Sequence, residues 1–173
     1  DQQDAKAVHQ FESVRLLQQI QAFNKGIDPT FGELPDQKTF IYAGAAADPS
    51  CRNQRSLENR IKRKKEAGAQ FLQTQMVMER EKLVDFCEKI ARPLEIPVIA
   101  GVFLLKSYKN ALFINKYVPG ANIPEHILNR LKDAKNPLEE GIQIAAEQAQ
   151  DFFDIANGIH LMAVKTEHLI PEI

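Results

Sequence analysis

Apolar positions along this chain alternate between two periods. Residues 11–25, FESVRLLQQIQAFNK, place Val14, Leu17 and Ile20 on one helical face, and Gly26 can end that helix. Residues 26–37, rich in Pro, Gly and Asp, predict a loop. FIYAGAA (40–46) reads as a strand. Ser56 is the expected cap of a helix over 57–67, with Leu57 and Ile61 apolar and a stop at Ala67–Gly68. The short strand FLQT (71–74) follows. A helix over 79–92 carries Leu83, Phe86, Cys87 and Ile90 on one face, and Pro93 stops it. PVIAGVFLL (97–105) is a continuous apolar run, the mark of a strand covered on both faces. Ser107 caps a helix through Tyr117, Pro124 opens a short helix, and Pro137 opens a longer one to about Asn157. IHLMAV (159–164) is the last strand.

Buried strands alternating with amphipathic helices predict an α/β fold with a parallel sheet and right-handed crossovers. The pattern supplies four strands, whereas a (β/α)8 TIM barrel closes with eight in about 250 residues. Four strands with two open apolar edges are a poor end state. The expected fold is therefore about four βα units of such a barrel, with 1–173 forming one partial barrel domain. A small open doubly wound sheet is the alternative. The chain opens on Asp1-Gln2-Gln3-Asp4-Ala5-Lys6 without an initiator Met, which reads as the middle of a longer polypeptide.

Composition narrows the classes of function. The 173 residues are 44% hydrophobic and 26% charged, an ordinary globular balance. A net charge of −1 gives no general attraction to nucleic acid or to a membrane surface. The longest apolar run, Ile96 to Leu105, is about half of what a spanning helix needs. The two cysteines, Cys51 and Cys87, form no metal motif and no disulfide framework, which points to a cytoplasmic compartment. Cys87 shares the helical spacing of Leu83 and Ile90 and is expected in the core.

In parallel α/β folds ligands sit at the C-terminal ends of the strands. That rule singles out 44–48, 74–78, 104–108 and 164–167. Gln75 offers both a donor and an acceptor to a heterocycle edge, though a surface residue at a loop start reads equally well. Gly44, Ala45, Ala46 and Ala47 remove bulk where a ring or phosphate would approach the backbone; tight helix–strand packing explains them at least as simply. The basic run Lys62, Arg63, Lys64, Lys65 points around the helix, so the four cannot all face one ligand; Lys62 and Lys65 read as a solvated face, and one cation of the run could reach a phosphate. His160 reads as a satisfied core residue, and His9, His126 and His168 are scattered without metal-ligand spacing. No P-loop, no dinucleotide fingerprint and no nucleophile–base pair is present.

A run of segments then carries a family resemblance. IKRKKEAGAQFLQTQ (61–75) resembles the basic helix, [D/E]-A-G-A turn, apolar strand and T-Q of the methylenetetrahydrofolate reductases. IPVIAGVFLLKS (96–107) is similar to that family's seventh strand, and NGIHLMAVK (157–165) to its last. FIYAGAAADP (40–49) resembles the fifth-strand segment, and VHQFESVRLLQQI (8–20) the helix before it.

The resemblance implies the C-terminal half of a flavin-dependent barrel. It implies FAD as cofactor, NAD(P)H or another reductant, and reduction of 5,10-methylenetetrahydrofolate to 5-methyltetrahydrofolate. Gln75 then falls on the T-Q glutamine beside folate and flavin, and Tyr108 on an aromatic position against the folate. Lys64 falls on a basic position near the flavin phosphates, with Gly44, Ala45 and Asp48 in the flavin-lining loop. His160 matches a structural histidine. Two positions depart from the best-known bacterial members, which carry tyrosine where Gly44 stands and arginine where Thr166 stands; Lys165 is the adjacent cation. The family's general-acid glutamate and flavin-tuning aspartate belong to strands one and four, so no catalytic residue is expected in this chain. The missing half would come in cis or in trans. Self-pairing as a homo-oligomeric, non-catalytic folate-binding module, or methyl transfer from a folate to a corrinoid protein, are the alternatives.

Overall fold

The computed structural model describes residues 12–33 and 38–173. Helix α1 (Ser13–Asn24) comes first, followed by a two-residue hairpin, β1 (Ile27–Asp28) with β2 (Gly32–Glu33). The main sheet has four strands: β3 (Gly44–Ala47), β4 (Phe71–Met76), β5 (Val98–Phe103) and β6 (Gly158–Met162). Between them run α2 (Gln54–Glu66) and α3 (Arg80–Phe86), then α4 (Tyr108–Tyr117), α5 (Glu125–Asp133) and α6 (Pro137–Phe153). A π turn, Cys87–Ala91, extends α3, and a 3-10 segment, Glu167–Glu172, ends the chain.

The spatial order is β3-β4-β5-β6, all parallel. Each strand therefore pairs with the next in sequence, and the winding never reverses. Right-handed crossovers wound in one direction put every helix on the same face. That is the layout of a partial (β/α)8 barrel, and it excludes the doubly wound alternative, which needs a reversal and helices on both faces. The alternation in β4 shows the two faces: Leu72, Thr74 and Met76 are buried, while Phe71, Gln73 and Gln75 are half-exposed. In β5, Val98, Ala100 and Val102 point to the same helical layer.

That layer is the core. Leu57 and Ile61 of α2, Leu83 and Phe86 of α3 and Phe152 of α6 pack with Leu72, Val98 and Val102. Each such side chain contributes about 1.5–3 kcal/mol of burial. A second cluster, including Met76, Leu105, Ile114, Ile127, Leu131 and Ile144, ties α4, α5 and α6 to the upper ends of the strands. Cys87 is buried in the first cluster, and burial pushes its thiol up to about 11. No helix among the described residues is long and apolar enough to cross a membrane.

Several boundaries differ from expectation. The expected strand over 40–46 begins only at Gly44. Among the described residues no strand pairs with those ahead of it: Ala43 is held instead through Gln70, whose backbone N–H donates to the Ala43 carbonyl (2.8 Å) and whose side-chain oxygen accepts from the Ala43 N–H (3.0 Å). Asn53, not Ser56, caps α2; its side chain accepts from the Ser56 N–H. Strand β4 runs two residues past Thr74, so Gln75 lies in the strand rather than in a loop. Helix α6 ends at Phe153 instead of near Asn157, because the Asn157 side chain turns back to accept from the Val98 N–H. The predicted helix start at residue 11 and loop residues 34–37 lie outside the described residues.

Candidate functional site

A cavity of about 670 Å³ opens at the C-terminal ends of β3 and β4. The small residues of β3 form one wall, and Phe71, Gln73 and Gln75 of β4 form the floor. Arg60 and Lys64 reach it from α2, and Pro119 and Gly120 cover it from the loop between α4 and α5.

A bulge in the sheet aims Gln75. The β4–β5 register shifts between Gln73 and Met76, and there the Thr74 hydroxyl accepts from the Gly101 N–H (2.9 Å) in place of a ladder carbonyl. Bulges of this kind redirect side chains next to functional sites. Both ends of the Gln75 amide are engaged. Its oxygen accepts from the Met76 N–H (2.9 Å), and its nitrogen donates to the Pro119 carbonyl (3.2 Å). Beside it, Asp48 accepts from the Ser50 N–H at 3.0 Å, and a Cβ on Gly120 would stand 3.0 Å from the other Asp48 oxygen.

The cations come from one face of α2. Arg60 and Lys64 are four residues apart, one helical turn, so their side chains point the same way. Lys64 Nζ donates to the Ala46 carbonyl at 2.7 Å, and an Arg60 N–H donates to Cys51 Sγ at 3.1 Å. Burial, and secondarily the Arg60 charge, hold the Lys64 ammonium below the ordinary lysine range.

The cavity thus gathers Gly44, Ala45, Asp48, Lys64 and Gln75 of the expected residues. It does not gather Tyr108 or Lys165. Tyr108 packs against the second core cluster, and Lys165 is exposed with φ +61°, its N–H donating to Glu167. Gly44 is not open to a flat ring: the Phe71 ring lies over it, where a Cβ would collide, and Tyr42 stacks on Phe71 with centroids 5.5 Å apart. Lys62 and Arg63 are exposed, and Lys65 donates to the Glu95 carbonyl away from the cavity. The sequence reading missed Arg60, Gln73 and the Pro119–Gly120 strap. The i, i+4 spacing of Arg60 with Lys64 and the i, i+2 spacing of Gln73 with Gln75 were the available signals. Among the described residues no group of three or more His, Cys, Asp or Glu side chains is placed to hold a metal.

Comparison with known proteins meets this geometry. The family model for methylenetetrahydrofolate reductase matches residues 4–173. The chain belongs to the methylenetetrahydrofolate reductase family. It is 28% identical to methylenetetrahydrofolate reductase 2 of Saccharomyces cerevisiae, over 58% of this chain and 18% of the yeast protein. Its fold is similar to that of a solved Clostridium thermocellum protein described as binding two copies of 5-methyl-5,6,7,8-tetrahydrofolic acid. That match has a TM-score of 0.56 and 21% identity, and covers 75% of this chain and 49% of the other. The chain therefore spans less than a fifth of the yeast reductase and about half of the clostridial protein.

Proposed function

We propose that this chain forms the C-terminal half of a flavin-dependent methylenetetrahydrofolate reductase barrel, its residues acting as one partial barrel domain in the cytoplasm. The observation that carries the reading is the cavity itself. A strand-end glutamine, two cations on one helical face and a wall of small residues meet at the end of the sheet where this fold places ligands.

The residues present fit a flavin dinucleotide. Arg60 and Lys64 provide two cations for its phosphates, and the small side chains of Ala45 and Ala46 line the wall up to Asp48, with the Phe71 ring, which covers Gly44, as an aromatic surface. When bound, the flavin would supply hydride transfer from NAD(P)H or another reductant to the folate. This chain's part is to bind and orient. Gln75, by exchanging the Pro119 carbonyl for a ligand atom, would fix the folate ring, and Tyr108 and Lys165 would come to the site only through rearrangement or closure of the barrel. The general acid would come from the other four strands, in cis or in trans.

The test supplies those strands. Joined to or mixed with the N-terminal half of a family barrel, the chain should retain a yellow flavin chromophore and reduce methylenetetrahydrofolate with NAD(P)H or a reduced dye. A closed barrel that retains no flavin sinks the reading. A second reading is favoured by the clostridial neighbour, which is described as binding 5-methyl-5,6,7,8-tetrahydrofolic acid. A folate-binding assembly without redox activity would show as a homodimer in light scattering that binds 5-methyltetrahydrofolate and no flavin.

A further inference from the structure

Strand β4 presents two glutamines to the cavity, and their amides differ in one respect. The Gln75 amide is occupied at both ends. The Gln73 amide has a single partner among the described residues: His160, two strands away on β6, whose Nδ1 lies 2.6 Å from the Gln73 nitrogen. The strand between them places Gly101 level with His160. A Cβ at that position would come within 2.9 Å of Met162 Cε and of the Thr74 and Gln75 carbonyl oxygens, so no side chain interposes there. Beside Gln73 in the ladder stands Ala46, which offers only a methyl group. Gln73 is thus the amide at this level of the cavity with an uncommitted end.

We propose that Gln73 reads the hydrogen-bonding edge of the flat heterocycle held in this cavity, and that His160 is the positioning residue that sets which end of the amide faces it. The proposal rests on the folate reading above. A neutral imidazole accepts at one ring nitrogen and donates at the other. With Nδ1 accepting from the Gln73 NH₂, the nitrogen end of the amide is turned toward His160 and the amide oxygen is the acceptor left for the cavity. An acceptor in that place selects a ligand edge bearing donors, such as a ring N–H or an exocyclic amine, and a pterin edge carries both. It disfavours an edge of bare carbonyl or ring-nitrogen acceptors, whose lone pairs would meet the amide oxygen. This arrangement needs no charge on either residue.

The test measures 5-methyltetrahydrofolate binding to the intact protein by calorimetry, with circular dichroism melting to confirm folding. Gln73→Met, similar in shape but lacking both amide groups, should weaken binding about tenfold, the value of one hydrogen bond. Gln73→Glu keeps an acceptor toward the cavity, while His160 takes the other tautomer and donates to the second carboxylate oxygen. It should stay within about threefold of wild type, since the acceptor it presents is retained. His160→Asn, which can accept in place of Nδ1, should likewise bind better than His160→Phe. Equal binding by Gln73→Met and wild type overturns the proposal while leaving the folate reading intact. So does a Gln73→Glu loss as large as that of Gln73→Met. A wild-type protein that binds no folate overturns both.

Discussion

The side-chain nitrogen of Gln75 donates to the backbone carbonyl of Pro119 across 3.2 Å, joining the end of β4 to the loop between α4 and α5. The same amide's oxygen is held by the Met76 N–H, so the glutamine is both a floor residue and the anchor of a strap. A ligand that takes the N–H now given to Pro119 must displace that carbonyl. We expect Gln75→Ala to speed amide hydrogen exchange at 118–121 while costing no more than about 1 kcal/mol of global stability, the scale of one exposed hydrogen bond. Saturating 5-methyltetrahydrofolate should release the strap in the wild type in the same way. Exchange that stays unchanged in the variant would show that Pro119 is held by something else.

Lys64 gives a prediction with a sign in pH. Burial and Arg60 lower its pKa below 10.5, so the fold disfavours the protonated amine. Between the lowered value and the unfolded one, the unfolded chain binds more protons, and stability rises with pH across that alkaline window. Lys64→Met should flatten this rise in urea titrations between neutral and alkaline pH. An anion beside Lys64 favours its charged form, so pyrophosphate binding should take up a proton in that window and weaken as pH climbs. The variant should bind pyrophosphate about tenfold or more weakly at pH 7, as expected for loss of a charge-assisted contact. Undiminished pyrophosphate binding would remove Lys64 from the phosphate site.

The alternating strands and helices were legible in the sequence because buried elements leave a periodic trace, and the family resemblance because its motif segments stand in order along the chain. Ser107 is an example: its hydroxyl accepts from the Asn110 N–H and opens α4 as expected. What was not legible depended on partners distant in sequence. Phe40 to Ala43 have strand-like composition, but among the described residues no strand pairs with them to complete a ladder, and Phe40 is 95% exposed. The cap of α2 fell to Asn53 because a carboxamide three residues before Ser56 reaches that N–H first. The partner of Gln73 is His160 on β6, 87 residues away, so local pattern carries no sign of the pair. Tyr108 and Lys165 show the reverse: motif position singled them out, and the local backbone turns them elsewhere.

Gly141 marks where α6 presses on the sheet layer. A Cβ there would run into the Leu105 carbonyl, a backbone atom that cannot rotate away. Helix propensity alone would make alanine better by about 1 kcal/mol. The collision should win, because relieving it means shifting α6 away from the end of β5, with overpacking costs of about 1–3 kcal/mol or more. Gly141→Ala should therefore lower the urea midpoint with an unchanged slope. A raised midpoint would mean that the helix and strand move apart freely.

Arg130 ties α5 to α6 and supplies the acid-side counterpart to Lys64. Its guanidinium donates to Glu140 at 2.7 Å and forks onto both Glu147 oxygens at 2.5 and 3.1 Å. The Arg130 hydrogen bonds, against a smaller opposing effect of burial, hold the Glu147 carboxyl below its ordinary value. A depressed carboxylate stabilises the fold above its unfolded pKa, near 4.5, and that contribution disappears as pH falls through the folded pKa below it. The side chains of Arg130 and Glu147 are 35% and 46% exposed, so solvent screening limits the pair to about 1 kcal/mol or less. Arg130→Met should therefore destabilise by up to about that amount at pH 7, and the gap from wild type should close as denaturation is repeated toward pH 3. A gap that persists undiminished at low pH would assign the loss to packing of the arginine stem between the helices rather than to its charge.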